Sequence, residues 1–314
     1  MTTGLIQMLS QRSGLPQADI ERIVASAPRR YKEFTIPKRN GRGLREIAQP
    51  SRELKLLQRI IVDAVLSRMP VHESAHGYVV GRGIRTNAAA HARSSYILKM
   101  DFRDFFPSLV PLDLRSYLQM HHSSGFTEQE VRQLEQILFW RKKGSDGLRM
   151  CIGAPSSPAL SNALMYDLDR RISNASSIRG VTYTRYADDL TFSTRKKDVL
   201  GSLLNEVIAI VGESKRPCLR INASKTISIS RAQRRTVTGV NVTPDGKLSI
   251  GRENKRLIRS MVNHHVNGKL SQEGQARLIG LIGFAADIEP DFSAKMRIAL
   301  LNSPPLLATP PQSL

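Results

Sequence analysis

Cysteine is nearly absent: Cys151 and Cys218 are the only two in 314 residues. They form no CxxC pair, so neither a zinc-binding pattern nor a disulfide framework is available, and a reducing compartment fits. No window reaches the ~18 apolar residues of a membrane-spanning helix. The first thirty residues hold neither an apolar h-region nor a small-residue cleavage site. These absences predict a soluble, cytoplasmic chain with no membrane partner. No GxxxxGK(S/T) loop occurs, which leaves ATP-driven work without support. Acidic residues are scarce beside basic ones, 27 Asp and Glu against 47 Lys and Arg, for a formal charge of +20. Solubility alone needs far less, so the excess points to a polyanionic partner, nucleic acid first. Because the basic residues are dispersed, a folded basic groove is expected rather than a disordered arm.

What is present is enough for a large core: 40% of residues are hydrophobic. Residues 1–30 read as helical. "YKEFTIPKRNGRGLREIAQP" (31–50) reads as two strands around a Gly/Arg turn. Ser51 is placed to cap a helix whose apolar residues keep helical spacing. A Gly-rich passage (77–93) precedes the apolar strand "SYILKMDF" (95–102). Residues 127–140 and 197–214 read as helices, and "GAPSSPALSNALMYDLDRRIS" (153–173) as a turn entering a helix. "TVTGVNVTPDGKLSI" (236–250) reads as one hairpin turning at Pro244-Asp245-Gly246. Helices follow from Arg252, and the Pro-rich end, "NSPPLLATPPQSL", is expected to fray. The class is α+β.

The most specific stretch is "VTYTRYADDLTFS" (181–193), in which two aspartates adjoin inside a strand-like pattern. In a straight strand their side chains would diverge. At a tight hairpin tip both could reach one site, and Asp101, ending the strand "YILKMD", is a third candidate. Three converging carboxylates repel one another and raise some of their pKa values. Hard divalent cations such as Mg²⁺ relieve that repulsion, and a pair of ions suits in-line phosphoryl displacement. A bare pair of aspartates is more often a solvated turn, but "YADD" between strands, with a strand-end Asp upstream, reverses those odds.

"YADD" resembles the metal-binding hairpin of reverse transcriptases. "KMDFRDFFPSL" and "GAPSSPALSN" resemble that family's first two palm motifs, "INASKT" its following lysine motif, and "YKEFTIPKRNGRGLREIAQPSRELKLLQ" its fingers. "NAAAH" (87–91), "VTG" (237–239) and "TRYADDLTFS" resemble the bacterial retron group in particular. The resemblance spans roughly residues 30–260. It implies a right-hand polymerase fold with fingers, an antiparallel palm carrying the YADD hairpin, and a helical thumb. The expected divisions are residues 1–100 (N-terminal helix, fingers and the start of the palm), 101–240 (palm with an interleaved fingers segment) and 241–314 (hairpin and thumb).

The resemblance also implies roles. Asp101, Asp188 and Asp189, with the carbonyl of Phe102, would hold two Mg²⁺, Mn²⁺ being the alternative ion. Phe106 would be a steric gate against a 2′-hydroxyl, excluding rNTPs. Either Phe105 or Phe106 is expected to be core. Arg45, assisted by Lys38 or Arg39, would fork onto the incoming triphosphate, with plain template contact as the alternative. Lys225 would approach the β/γ-phosphates or stand as a solvated loop lysine. Gly153 would bring the backbone close to the nascent base pair. Many relatives carry Gln before that glycine; here Ile152 cannot hydrogen-bond a sugar.

Asn87 and His91 are expected to contact the cognate RNA. Thr238 and Gly239 would support the primer or the RNA branch, and Arg252, Lys255, Arg256 and Arg259 would form a basic stripe on an RNA stem. The expected partners are a structured non-coding RNA serving as template and primer, dNTPs, the RNA-linked DNA product (msDNA) and a separate effector protein in antiphage defence. Two other readings are a reverse transcriptase of group II intron or diversity-generating type, and a non-catalytic nucleic-acid scaffold that controls an effector.

Overall fold

A computed structural model describes residues 4–38, 41, 43–121 and 125–301. Arg39, Asn40 and Arg42 of the KRNGRG turn and the Pro-rich 302–314 end lie outside the described residues. The helical N-terminus divides into Leu5–Ser13 and Gln17–Ser26. Gly14 takes a left-handed φ of +73° and donates its amide to Ser10, and Pro16 then opens the second helix. Strands β1 (Tyr31–Pro37) and β2 (Leu44–Pro50) pair antiparallel, Tyr31 opposite Pro50 and Pro37 opposite Leu44. Ser51 caps the helix Arg52–Ala64 by accepting the Leu54 amide, and Leu54, Leu57 and Ile61 face the core.

The Gly-rich passage contains a short helix, Ile84–Ala90, which its flanking glycines hid from the sequence pattern. Next come β3 (Tyr96–Asp101), the two-residue pair β4 (Trp140–Arg141) and β5 (Leu148–Arg149), β6 (Thr182–Tyr186), β7 (Asp189–Thr194) and β8 (Ile227–Ser230). The antiparallel central sheet runs in the order β6-β7-β3-β8. Helices Ser157–Leu164, Tyr166–Ile178 and Val199–Glu213 bury Leu160, Ile172, Leu203 and Val207 in the same core as Leu98, Leu190 and Phe192 of the sheet. A rigid sheet with β3 inside it is therefore the platform on which its strand-end residues sit.

The expected single hairpin at 236–250 is in fact two. Strands β9 (Arg235–Val237) and β10 (Val240–Val242) turn at Thr238-Gly239, both with positive φ, as a type I′ turn requires. Pro244-Asp245-Gly246 then turns β10 into β11 (Leu248–Ser249). Val237 and Val240 share a second core with helices Arg252–Val266 and Gln272–Ile288, through Ile258, Leu278 and Ala285.

Candidate active site

The hairpin β6–β7 answers the question of the adjacent aspartates. Tyr186 pairs with Asp189, so Ala187 and Asp188 are the turn. Ala187 sits at φ +56°, the first-position geometry of a II′ turn that glycine usually takes. Asp188 thus leaves the strand's alternation. Asp189 opens β7 directly opposite Asp101 at the end of β3, and cross-strand partners share a face. Phe102 donates its amide to the Asp188 carbonyl at 3.0 Å, tying β3 to the tip. Carboxylate oxygens of Asp101, Asp188 and Asp189 all lie within 4.8 Å of one another.

The strained tip is held from behind. Fully buried Arg185 donates to the Ala187 carbonyl at 3.1 Å and pairs with fully buried Asp169 at 2.7 Å. Tyr183 also donates to Asp169. Outside β6, the 74–76 segment pairs with Arg185: Arg185 donates to Ser74 and His76 donates to Arg185. Gly77 packs so closely that a Cβ there would lie 3.0 Å from the Ala187 amide. Arg185 and Asp169 were missed as sequence candidates. Nothing in their spacing marks them, because their pairing depends on the fold.

Burial first, then neighbouring Asp101, pushes the Asp188 carboxyl above its ordinary range. For Asp189, burial and then Asp188 and Asp101 push it up to about 6. Two other groups answer this negative cluster. Lys225 reaches both Asp101 oxygens, at 2.9 and 3.0 Å. Burial pulls its ammonium pKa down, but the Asp101 hydrogen bond and charge outweigh that and raise it. Asn222, inside the "INASKT" motif, donates its side-chain amide to Asp101 at 3.3 Å and its backbone amide to the Asp101 carbonyl at 2.7 Å. A cluster of mutually repelling, partly buried carboxylates is the donor set that hard divalent cations take.

Beside the cluster lies a cavity of about 750 Å³, roomy enough for a nucleotide. Asp101, Asp188, Arg45, Lys38, Phe106 and Lys225 line it. Arg45 and Lys38 are exposed cations on or beside the β1–β2 hairpin, while Phe106 is half-buried and Phe105 is core. Phe102 and Ile152 also line the cavity. The Ile152 carbonyl accepts the Ala48 amide at 2.9 Å, docking the β2 strand onto this turn. Gly153, at φ +122°, is required by that docking: a Cβ there would meet the Ala48 carbonyl oxygen at 2.8 Å.

Two of the residues expected to contact RNA, Asn87 and His91, do not face solvent. His91 is fully buried, and both ring nitrogens are hydrogen-bonded, to Ser193 and Thr184, at 2.7 Å each. Burial drives its pKa down to about 3, which keeps the ring neutral. Asn87 is buried too and donates to the Thr238 hydroxyl at 3.4 Å. The two motifs expected to read RNA thus meet each other. The helix Ile84–Ala90 and His91 brace the catalytic hairpin strands on one side and the β9–β10 turn on the other. Gly239 is exposed at that turn. Of the basic stripe, Arg252, Arg256 and Arg259 are exposed. Lys255 instead pairs with Glu289 at 2.5 Å, and it and Arg259 lie over the Phe292 ring.

The family model for reverse transcriptase (RNA-dependent DNA polymerase) matches residues 36–242. The chain belongs to the reverse transcriptases. Within them it is of the retron type. Retron Ec83 reverse transcriptase of Escherichia coli is 38% identical over 281 residues, covering 88% of this chain and 89% of that protein. Retron Mx65 reverse transcriptase of Myxococcus xanthus is 35% identical over 281 residues, covering 85% of this chain and 64% of that one. Apo telomerase from Candida tropicalis matches in fold, with a TM-score of 0.52 at 13% identity over 86% of this chain and 55% of that chain. The enzyme is an RNA-directed DNA polymerase with the right-hand fold, and the central sheet with its YADD hairpin is the palm. Among the described residues no helix is long and apolar enough to cross a membrane.

Proposed function

We propose that this cytoplasmic reverse transcriptase binds one cognate structured non-coding RNA and copies part of it into branched, RNA-linked single-stranded DNA. By resemblance to retrons, the first nucleotide is joined to a guanosine 2′-hydroxyl within the RNA, and the product serves an antiphage defence system with a separate effector protein. The observation that carries the reading is the convergence of Asp101, Asp188 and Asp189 within 4.8 Å beside a nucleotide-sized cavity. Residues 1–100 carry the N-terminal helix, the fingers and the start of the palm, 101–240 the palm with an interleaved fingers segment, and 241–314 the hairpin and thumb.

Asp101, Asp188 and Asp189, with the Phe102 carbonyl, would hold two Mg²⁺. When bound, these ions supply a lowered pKa for the attacking hydroxyl and charge neutralisation for the leaving pyrophosphate. The chain's own residues bind, orient and select. Arg45 and Lys38 receive the triphosphate from the fingers hairpin by charge-assisted hydrogen bonds. Phe106 closes the cavity beneath the sugar and excludes a 2′-hydroxyl. Lys225 holds Asp101 in place from the adjoining loop and is within the cavity to meet phosphate oxygens. Gly153 lets the β2 strand and the Ile152 turn close over the base pair. Arg252, Arg256 and Arg259 grip an RNA stem by its phosphates, with Thr238 and Gly239 at the neighbouring turn.

The test is expression with the adjacent non-coding RNA, followed by analysis of nucleic acid that co-purifies. The expected product is DNA covalently attached to RNA. Free, unbranched DNA as the sole product would contradict the retron reading while leaving the polymerase intact.

A further inference from the structure

One exposed aromatic next to the catalytic hairpin has no role in the chemistry above. Tyr78 is 51% exposed and adopts φ +61°, a left-handed conformation that is a genuine outlier for a bulky side chain. Strain of this kind persists only where the surroundings over-determine it. They do so here. Gly77, just before it, is wedged against the hairpin tip, 3.4 Å from the Tyr186 ring and 3.0 Å from the Ala187 amide by its would-be Cβ. The Gly77 carbonyl takes the buried Asn162 amide at 2.8 Å. Arg82 closes the loop behind, donating to the carbonyls of Glu73 and Ala75 at 2.8 and 2.9 Å. The result is an anchored backbone that presents the Tyr78 ring 6.2 Å from the Tyr186 ring of the YADD motif.

Position sets what such a ring could meet. Neither Tyr78 nor Tyr186 lines the nucleotide cavity, although Asp188, two residues on from Tyr186, does. Asp188 is nonetheless near enough to help raise the Tyr78 hydroxyl's pKa, after partial burial and Tyr186. An in-line displacement needs the attacking hydroxyl across the carboxylates from the leaving phosphates. The aromatic pair therefore stands at the hairpin tip but outside the triphosphate's space, in a chain of charge +20.

We propose that Tyr78 stacks on the base of the nucleotide whose hydroxyl attacks, and so positions that strand end over Asp188. The ligand is a nucleobase at the growing or priming end of a polynucleotide, recognised by its π-face. Stacking is sequence-tolerant, so the ring can serve both the first priming nucleotide and every later 3′-end. The inference rests on the proposed reading of the carboxylates as the site of nucleotidyl transfer.

The experiment uses the full chain with an exogenous RNA template and an annealed DNA primer carrying 2-aminopurine at its 3′-end. Wild type should quench the probe on binding. Tyr78→Ala should lose the quench and raise the KM for primer about ten-fold, leaving the KM for dNTP unchanged. Tyr78→Phe and Tyr78→Trp should restore both readings, and Tyr78→Leu should not. Tyr78→Gly guards against misfolding: glycine accepts φ +61° without strain, so this variant should melt no lower than wild type and still lose the quench. A quench retained in Tyr78→Ala and Tyr78→Gly, or rescue by leucine equal to that by phenylalanine, would overturn the proposal. The carboxylate reading fails separately, by extension that survives in Asp188→Asn.

Discussion

Asp189 carries the clearest chemical consequence of a single residue. Its carboxyl is pushed up to about 6 by burial and by Asp188 and Asp101. Metal binding requires the ionised form, so protons and cations compete for it. Divalent-metal affinity should hold above pH 7 and weaken as pH falls through about 6, well above the range of an ordinary carboxylate. A Mg²⁺ titration of primer extension between pH 5 and 8 checks this, and a half-saturating concentration that does not change across that range would contradict it. The pKa of His91 is shifted the other way, and its consequence is for stability. Its folded pKa of about 3 lies below the unfolded value near 6.5. The unfolded chain binds the extra proton between those values, so this stabilisation is complete above pH 6.5 and is lost as pH falls towards 3. Going from pH 7 to pH 5, His91 should remove about 2 kcal/mol of stability. Urea unfolding at both values should show this loss in wild type and its absence in His91→Gln, which has no titrating ring.

At the scale of elements, the catalytic hairpin depends on what lies behind it. Ala187 holds a backbone conformation suited to glycine, and Arg185 fastens its carbonyl while pairing with Asp169 out of contact with solvent. Removing one partner of such a pair leaves a buried charge uncompensated, at about 3–5 kcal/mol. Asp169→Ala should therefore lower stability by that order in chemical denaturation, with kcat falling more than the KM for dNTP changes, since the cavity's own residues are untouched. A variant as stable and active as wild type would show that the strut is dispensable. This strut also marks where sequence reasoning stopped. The strands around "YADD", the Ser51 cap and the upstream Asp101 were legible because each rests on local pattern. Helix Ile84–Ala90 was not, since seven residues among glycines show too little periodicity. The burial of His91 and Asn87 was not legible either, because exposure is a property of the fold, and both side chains turn inward to Thr184, Ser193 and Thr238.

At the scale of the whole molecule, charge and topology act together. A net +20 spread over the chain predicts RNA affinity that falls steeply with salt, because each phosphate contact releases counterions. Filter binding with the cognate RNA from 50 to 200 mM salt should show a strongly negative log–log slope; a flat response would contradict a basic groove. The palm sheet brings Asp101 of β3 opposite Asp189 of β7, and the β1–β2 hairpin brings Arg45 to the same cavity from far earlier in the chain. Motif order in the sequence foretold that these residues belong together, but the distances among them come only from the sheet register. Whether these three carboxylates form the polymerising centre of an RNA-binding enzyme is decided by Asp188→Asn and Asp189→Asn, with DNA synthesis and RNA binding measured on the same preparations. Synthesis should be abolished while affinity for the cognate RNA stays within a few-fold of wild type. DNA synthesis at the wild-type rate in either variant would contradict it.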